Sequence, residues 1–146
     1  INFQNRTFEG GELTAQFAIF GRTNEEENLC YEVENRTFSQ SDTLCAELIN
    51  VEGFVEGEDG LHWFDMDVIE RNETGGIVSY TSEIFGEDGH YYLENGTLNK
   101  LYNDISEEFV IRDLKYLPNG NYTYELLVYD KVGDKGIYLN WTFTVI

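Results

Sequence analysis

The final eleven residues, Gly136-Ile137-Tyr138-Leu139-Asn140-Trp141-Thr142-Phe143-Thr144-Val145-Ile146, constrain the fold more than any other stretch. Ile137, Leu139, Trp141, Phe143 and Val145 alternate with Tyr138, Asn140, Thr142 and Thr144. A period of two places the first set on one face of a β-strand and the second on the other. The polar face carries Asn140-Trp141-Thr142, an acceptor triplet for N-linked sugar. The segment therefore predicts a half-buried sheet with an outer side facing water.

Similar patterns recur upstream. Tyr122, Tyr124, Leu126 and Val128 form one face of a second strand and leave Asn121 and Thr123 outward. Leu13, Ala15, Phe17 and Ile19 predict a third, followed by an acidic loop over 22–28. Strands are expected over 29–33, 44–51 and 77–85, and around Phe64, Met66 and Val68. Gly57-Glu58-Asp59-Gly60 and Gly86-Glu87-Asp88-Gly89 are the same turn tetrapeptide, expected at two similar hairpin tips. Asn95-Gly96 signals a hairpin, whereas Leu98, Leu101, Tyr102 and Ile105 have helical spacing. Phe109, Ile111 and Leu114 lead into Leu117-Pro118. The expected fold is all-β: an immunoglobulin-like or jelly-roll-type antiparallel sandwich of about 8–10 strands with at most one short helix. Residues 1–9, set off by Gly10-Gly11, are expected to be an N-terminal extension or donor strand, and 10–146 a single sandwich domain.

At 146 residues one domain can bury a proper core. The formal net charge of -19 disfavours nucleic acid and anionic membranes, both of which need clustered Lys and Arg. No uncharged run approaches the ~20 residues of a spanning helix. The chain opens at Ile1 without a signal-like apolar stretch, as a processed mature form or an excised domain would. Cys30 and Cys45 predict one disulfide, worth roughly 3 kcal/mol for a loop of about 15 residues.

Asn-X-Thr occurs six times, at Asn5, Asn35, Asn72, Asn95, Asn121 and Asn140. The asparagine, serine and threonine content would give about one or two by chance. Such an excess, spread over the whole chain, predicts a secreted glycoprotein at the cell surface.

Little in the sequence resembles catalytic machinery. There is no nucleophile elbow, phosphate loop, HExxH or Cys-His pattern, and an enzyme is not expected. Asp65 and Asp67 are the nearest to an ordered carboxylate pair, expected on a solvated face. Asp59, Asp88, Asp130 and Asp134, with Glu58 and Glu87, lie in Gly-containing turns. Those turns make calcium the one metal worth considering, although no EF-hand spacing is present. No other cofactor is expected. Trp63, Tyr91 and Tyr92, with His62 or His90, offer rings for sugar stacking, although such aromatics in a sandwich usually belong to the core.

Residues 117–145 resemble the closing hairpin of immunoglobulin-like and fibronectin-III-like surface domains. Leu117-Pro118-Asn119-Gly120-Asn121-Tyr122 is similar to their Leu-Pro-x-Gly-x-Tyr approach to a tyrosine corner. Tyr129-Asp130-Lys131-Val132-Gly133-Asp134 and Phe143-Thr144-Val145 are similar to the turn and exit of prokaryotic members. Trp63 would then match the core tryptophan. The Thr-type sequons and acidic, Tyr- and Asn-rich composition resemble archaeal cell-surface proteins and extracellular filament subunits.

The resulting expectation is a structural subunit of an N-glycosylated extracellular filament or surface layer. Its partners would be copies of itself or other surface glycoproteins, with no nucleic acid and no membrane insertion. Donor-strand addition through Ile1, Phe3 and Phe8 is the expected route. An adhesion or ligand-binding module and a carbohydrate-binding sandwich are the alternatives.

Overall fold

The computed structural model describes residues 2–24, 29–102 and 113–146. Ile1, Ile105, Phe109, Ile111 and part of the expected acidic loop lie outside them. Ten strands are present among the described residues: β1 (Thr14–Asn24), β2 (Leu29–Glu32), β3 (Thr37–Phe38), β4 (Leu44–Glu52), β5 (His62–Asn72), β6 (Ile77–Thr81), β7 (His90–Tyr91), β8 (Thr97–Tyr102), β9 (Gly120–Asp130) and β10 (Lys135–Val145). The helical pieces among them are 3₁₀ turns of three or four residues.

Two sheets form a sandwich. One has the order β2-β1-β4-β8, and the other β3-β10-β9-β5-β6, with β7 also on β5. Every strand-to-strand ladder is antiparallel except β3 on β10. The inner faces supply a core that includes Phe20, Phe38, Leu48, Met66, Tyr124, Leu126, Trp141 and Phe143. Its aromatic centre is Phe20, stacked on Trp141 at 5.0 Å between ring centroids and edge-on to Phe38 at 6.0 Å. The core tryptophan is therefore Trp141, not Trp63 as the family resemblance implied. Trp63 sits on the other face of its strand, stacked on His90.

The closing hairpin follows its sequence pattern. Tyr122, Tyr124, Leu126 and Val128 are all buried. The Tyr122 hydroxyl donates to the Pro118 carbonyl at 2.5 Å, which forms the tyrosine corner. Asp130 pairs with Lys135 across the turn.

The four-stranded sheet departs from simple alternation. Phe17 was expected inward with Leu13, Ala15 and Ile19, yet it is 58% exposed. Inward contacts come instead from Ala15 then Ala18 on β1, Leu48 then Val51 on β4, and Leu98 then Leu101 on β8. All three strands skip a residue at the same level. Asn50 lies there with a φ of 53°, outside the β region, and its amide donates to Gln16 on β1. A left-handed residue breaks the pleat, and the pleat decides which side chains face the core. The i, i+3 spacing of Leu98 and Leu101 is thus a phase change within a strand, not a helix. Asn95-Gly96 does not close a hairpin either; it forms a 3₁₀ turn leading into β8.

Other boundaries moved. β1 continues through Arg22 and Thr23, paired with Tyr31 and Cys30, where an acidic loop was expected. β6 ends at Thr81, because Glu83 and Phe85 turn their N–H groups onto β5 carboxylates instead. Gly86–Gly89 is a 3₁₀ turn, unlike the Gly57 to Gly60 turn despite the shared tetrapeptide. The Cys30–Cys45 disulfide joins β2 to β4 across the end of β1, with a Cα–Cα distance of 5.9 Å.

Candidate functional site

The outer face of the larger sheet is built from charge. Asp65 and Asp67 were expected on a solvated face, but they are 0% and 6% exposed. The segment after β6 folds over them. Asp65 Oδ1 accepts from the N–H of Met66 at 2.8 Å and of Phe85 at 2.9 Å. Its other oxygen lies 3.3 Å from Lys131 Nζ, an ion pair without hydrogen-bond alignment. Asp67 Oδ1 accepts from Glu83 N–H at 2.8 Å and from the Tyr129 hydroxyl at 2.9 Å. Burial, reinforced by the Asp67 charge, pushes the Tyr129 phenol far above the usual tyrosine range. These carboxylates hold a covering loop in place, and buried acceptors need such partners.

Next to them lies residues 2–9. Phe3 is buried against Ile69, Leu127 and Tyr129, with Phe8 and Tyr138 packed on the same cluster. The Arg6 guanidinium lies over the Phe8 and Tyr129 rings at 4.9 and 4.6 Å and reaches Asp67 at 3.9 Å. Gly136 makes room here, since a Cβ would push the Phe8 ring aside. Tyr138 donates to Glu125 at 2.6 Å; burial, then that carboxylate, pushes its phenol up to about 12. Arg71 donates to the other Glu125 oxygen at 2.7 Å. Within one chain, then, residues 2–9 form a strap across the sheet, with Phe3–Asn5 in a 3₁₀ turn.

All six sequon asparagines are exposed. Asn72 Oδ1 accepts from the N–H of Thr74 and Gly76 and from the Thr74 hydroxyl, shaping the β5–β6 turn. Asn121 donates to Glu73 at 2.8 Å and accepts from Thr144 at 2.7 Å. Asn35 and Asn95 occupy matching turns, with φ of 55° and 59°, and in each the threonine hydroxyl donates to the asparagine carbonyl at 3.4 Å. Sequence supports the match: Tyr31-Glu32-Val33-Glu34-Asn35-Arg36-Thr37-Phe38 parallels Tyr91-Tyr92-Leu93-Glu94-Asn95-Gly96-Thr97-Leu98. Asn5-Arg6-Thr7-Phe8 repeats Asn35-Arg36-Thr37-Phe38 residue for residue. A search for internal repeats finds both signals, which periodicity alone passes over.

The remaining candidates are dispersed. Asp59 bonds His90 at 2.8 Å and accepts from Leu61 N–H, and that backbone bond leads in holding its carboxyl below the usual range. Asp130 accepts from the N–H of Val55 and Val132, and Asp134 from that of Glu9. Asp88 is exposed. No group of three or more metal-ligating side chains occurs among the described residues. Trp63 has one face against His90, and His62 is buried, accepting from Leu93 N–H. Tyr91 and Tyr92 are exposed at 45% and 58%. Tyr91 is edge-on to Phe64 and Tyr92 tilted against His62, so the five residues form no flat stacking platform.

One edge of the larger sheet is only partly covered. Gly136 on β10 accepts from Leu13 N–H at 3.0 Å and donates to Gly11 at 3.3 Å; at the other end Ile146 donates to Phe38 at 2.9 Å. Even-numbered β10 residues thus direct their backbone groups to this edge. Among the described residues nothing pairs there between Gly136 and Thr144. Inside, Ile137 and Leu139 are only partly buried, whereas Trp141, Phe143 and Val145 are buried. A groove of about 370 Å³ opens at the Trp141–Thr142 end of this stretch, lined by Ala18, Phe20, Val33 and Trp141 together with the polar Glu32, Asn35, Arg36 and Thr142.

No helix among the described residues is long and apolar enough to cross a membrane. No protein-family model and no curated protein matches the chain. Among solved structures it is similar to an immunoglobulin-like protein from Pseudomonas aeruginosa, with 11% identity and a TM-score of 0.49 over 94% of this chain and 99% of that one. The architecture rests on the chain's own sheets and tyrosine corner, which make it an all-β sandwich of immunoglobulin-like build.

Proposed function

We propose that the chain is a structural subunit of an N-glycosylated extracellular filament or surface layer, assembling non-covalently by donor-strand addition of its N-terminal segment. The observation that carries this is the exposure of all six sequon asparagines, at turns, on the strap and on strand surfaces. A disulfide suits an oxidising compartment. A charge of -19 and attached sugars would together oppose side-to-side aggregation, leaving edges and ends for specific contact.

Intact mass of the protein from its own host tests the modification. The expected result is several glycan increments, each removed by Asn→Gln at one sequon. The bare polypeptide mass would overturn it. Light scattering and electron microscopy at high concentration test assembly, where a monodisperse single chain would overturn the subunit reading.

A further inference from the structure

We propose that the uncovered edge of β10 is the acceptor site for residues 2–9 of a second copy, which add as a short strand beside residues 137–143. The proposal rests on the assembly reading above and supplies the surface that reading lacks.

Three observations carry it. The first is the gap itself. Residues 11–13 and 37–38 cover the two ends of the β10 edge, and both run parallel to it. Between them the backbone groups of Tyr138, Asn140 and Thr142 face outward with no described strand opposite. Seven residues of gap correspond to about 23 Å. Eleven-residue β10 of another copy would run into the two covering segments, so edge-to-edge pairing of like strands is excluded and a short segment fits.

The second is the opened core. Ile137 and Leu139 are only partly buried against the core, and farther along β10 a separate groove at Trp141 and Thr142 is lined by apolar Ala18 and Val33 and polar Glu32 and Asn35. An added strand would supply backbone partners and place alternate apolar side chains there.

The third is the repeat. Asn35-Arg36-Thr37-Phe38 already pairs with the end of β10, with Phe38 1% exposed in the core. Asn5-Arg6-Thr7-Phe8 is the same tetrapeptide, and its Phe8 rests on Gly136 outside the sheet. The strap does not cover the gap of its own chain. Gly10 is bonded to Asp134 and Leu13 to Gly136, so the strap turns at that end and lies on the outer face beside Tyr138 and Asn140, not along the β10 edge. Donation to a second copy requires Phe3 to leave its own outer-face site against Ile69, Leu127 and Tyr129.

Amide hydrogen exchange of the whole protein, with and without a synthetic peptide of residues 1–9, tests this directly. Slowing of roughly tenfold or more at Tyr138, Asn140 and Thr142 is expected with peptide and in assembled material. Tyr138→Pro removes one outward N–H while leaving all six sequons intact, and should raise the concentration needed for particle formation at least about tenfold. Particles that form while these amides stay unprotected would overturn the acceptor site and leave assembly standing. A wild-type chain that stays monomeric and gains no protection from peptide would overturn both. Should Tyr138→Pro fail to fold, the wild-type exchange result still decides.

Discussion

The two copies of Asn-Arg-Thr-Phe have the same chemistry and different fates. At 35–38 the asparagine takes a left-handed conformation, the threonine pairs with β10, and Phe38 enters the core edge-on to Phe20 and Phe143. At 5–8 the segment crosses the outer face, Arg6 sits between aromatic rings, and Phe8 stays half-buried. The difference comes from what flanks each copy. Leu29–Glu32 and the disulfide hold the second copy close to the sandwich, while Gly10 and Gly11, bonded to Asp134 and Gly136, turn the first onto the outer face. Local sequence sets what a segment can bind; its tethers set what it does bind.

That contrast is breakable. Phe38→Ala should cost about 3–5 kcal/mol in urea denaturation, and Phe8→Ala about 1 kcal/mol; equal losses would mean the strap is as deeply built in as β3. Removing the disulfide with Cys30→Ser and Cys45→Ser together should cost about 3 kcal/mol, as expected for a 15-residue separation. If loss of this tether leaves exchange protection of Phe38 unchanged, the tether argument fails. Gly136→Ala should cost about 1–2 kcal/mol by unseating Phe8. Trypsin should then cleave after Arg6 faster than in the parent chain, while the rate of cleavage after Arg36 stays unchanged.

The smallest expected effect is a pH dependence. The Tyr138 phenol titrates near 12 when folded, above the usual 10, so the folded chain holds this proton more tightly than the unfolded one. Its contribution to stability is complete below pH 10 and is lost as pH rises toward 12. Denaturation midpoints between pH 9 and 12 should fall less steeply for Tyr138→Phe than for the parent. Identical slopes would show that the strap leaves this side of the sheet open to water.

Much of the fold was legible. The closing hairpin, the tyrosine corner, the disulfide and the sandwich class follow from short-range rules: period-two alternation, Pro and Gly placement, and a single cysteine pair. The first sheet was not, because one left-handed asparagine shifts three strands at once and no alternation count sees it. Leu98 and Leu101 looked helical for that reason. Asp65 and Asp67 looked solvated because the segment that buries them lies about twenty residues away in sequence. A much longer separation hid the strap, whose Glu9 meets Asp134 125 residues on.

The sequence by itself determined strand periodicity, the acceptor triplets and the net charge, since each depends on residue identity and near neighbours. Only the tertiary structure decided which face of each strand is covered, which copy of Asn-Arg-Thr-Phe enters the core and where the β10 edge stays unpaired. Those outcomes depend on contacts between segments far apart in the chain, such as the 125 residues between Glu9 and Asp134, whose geometry no local pattern encodes.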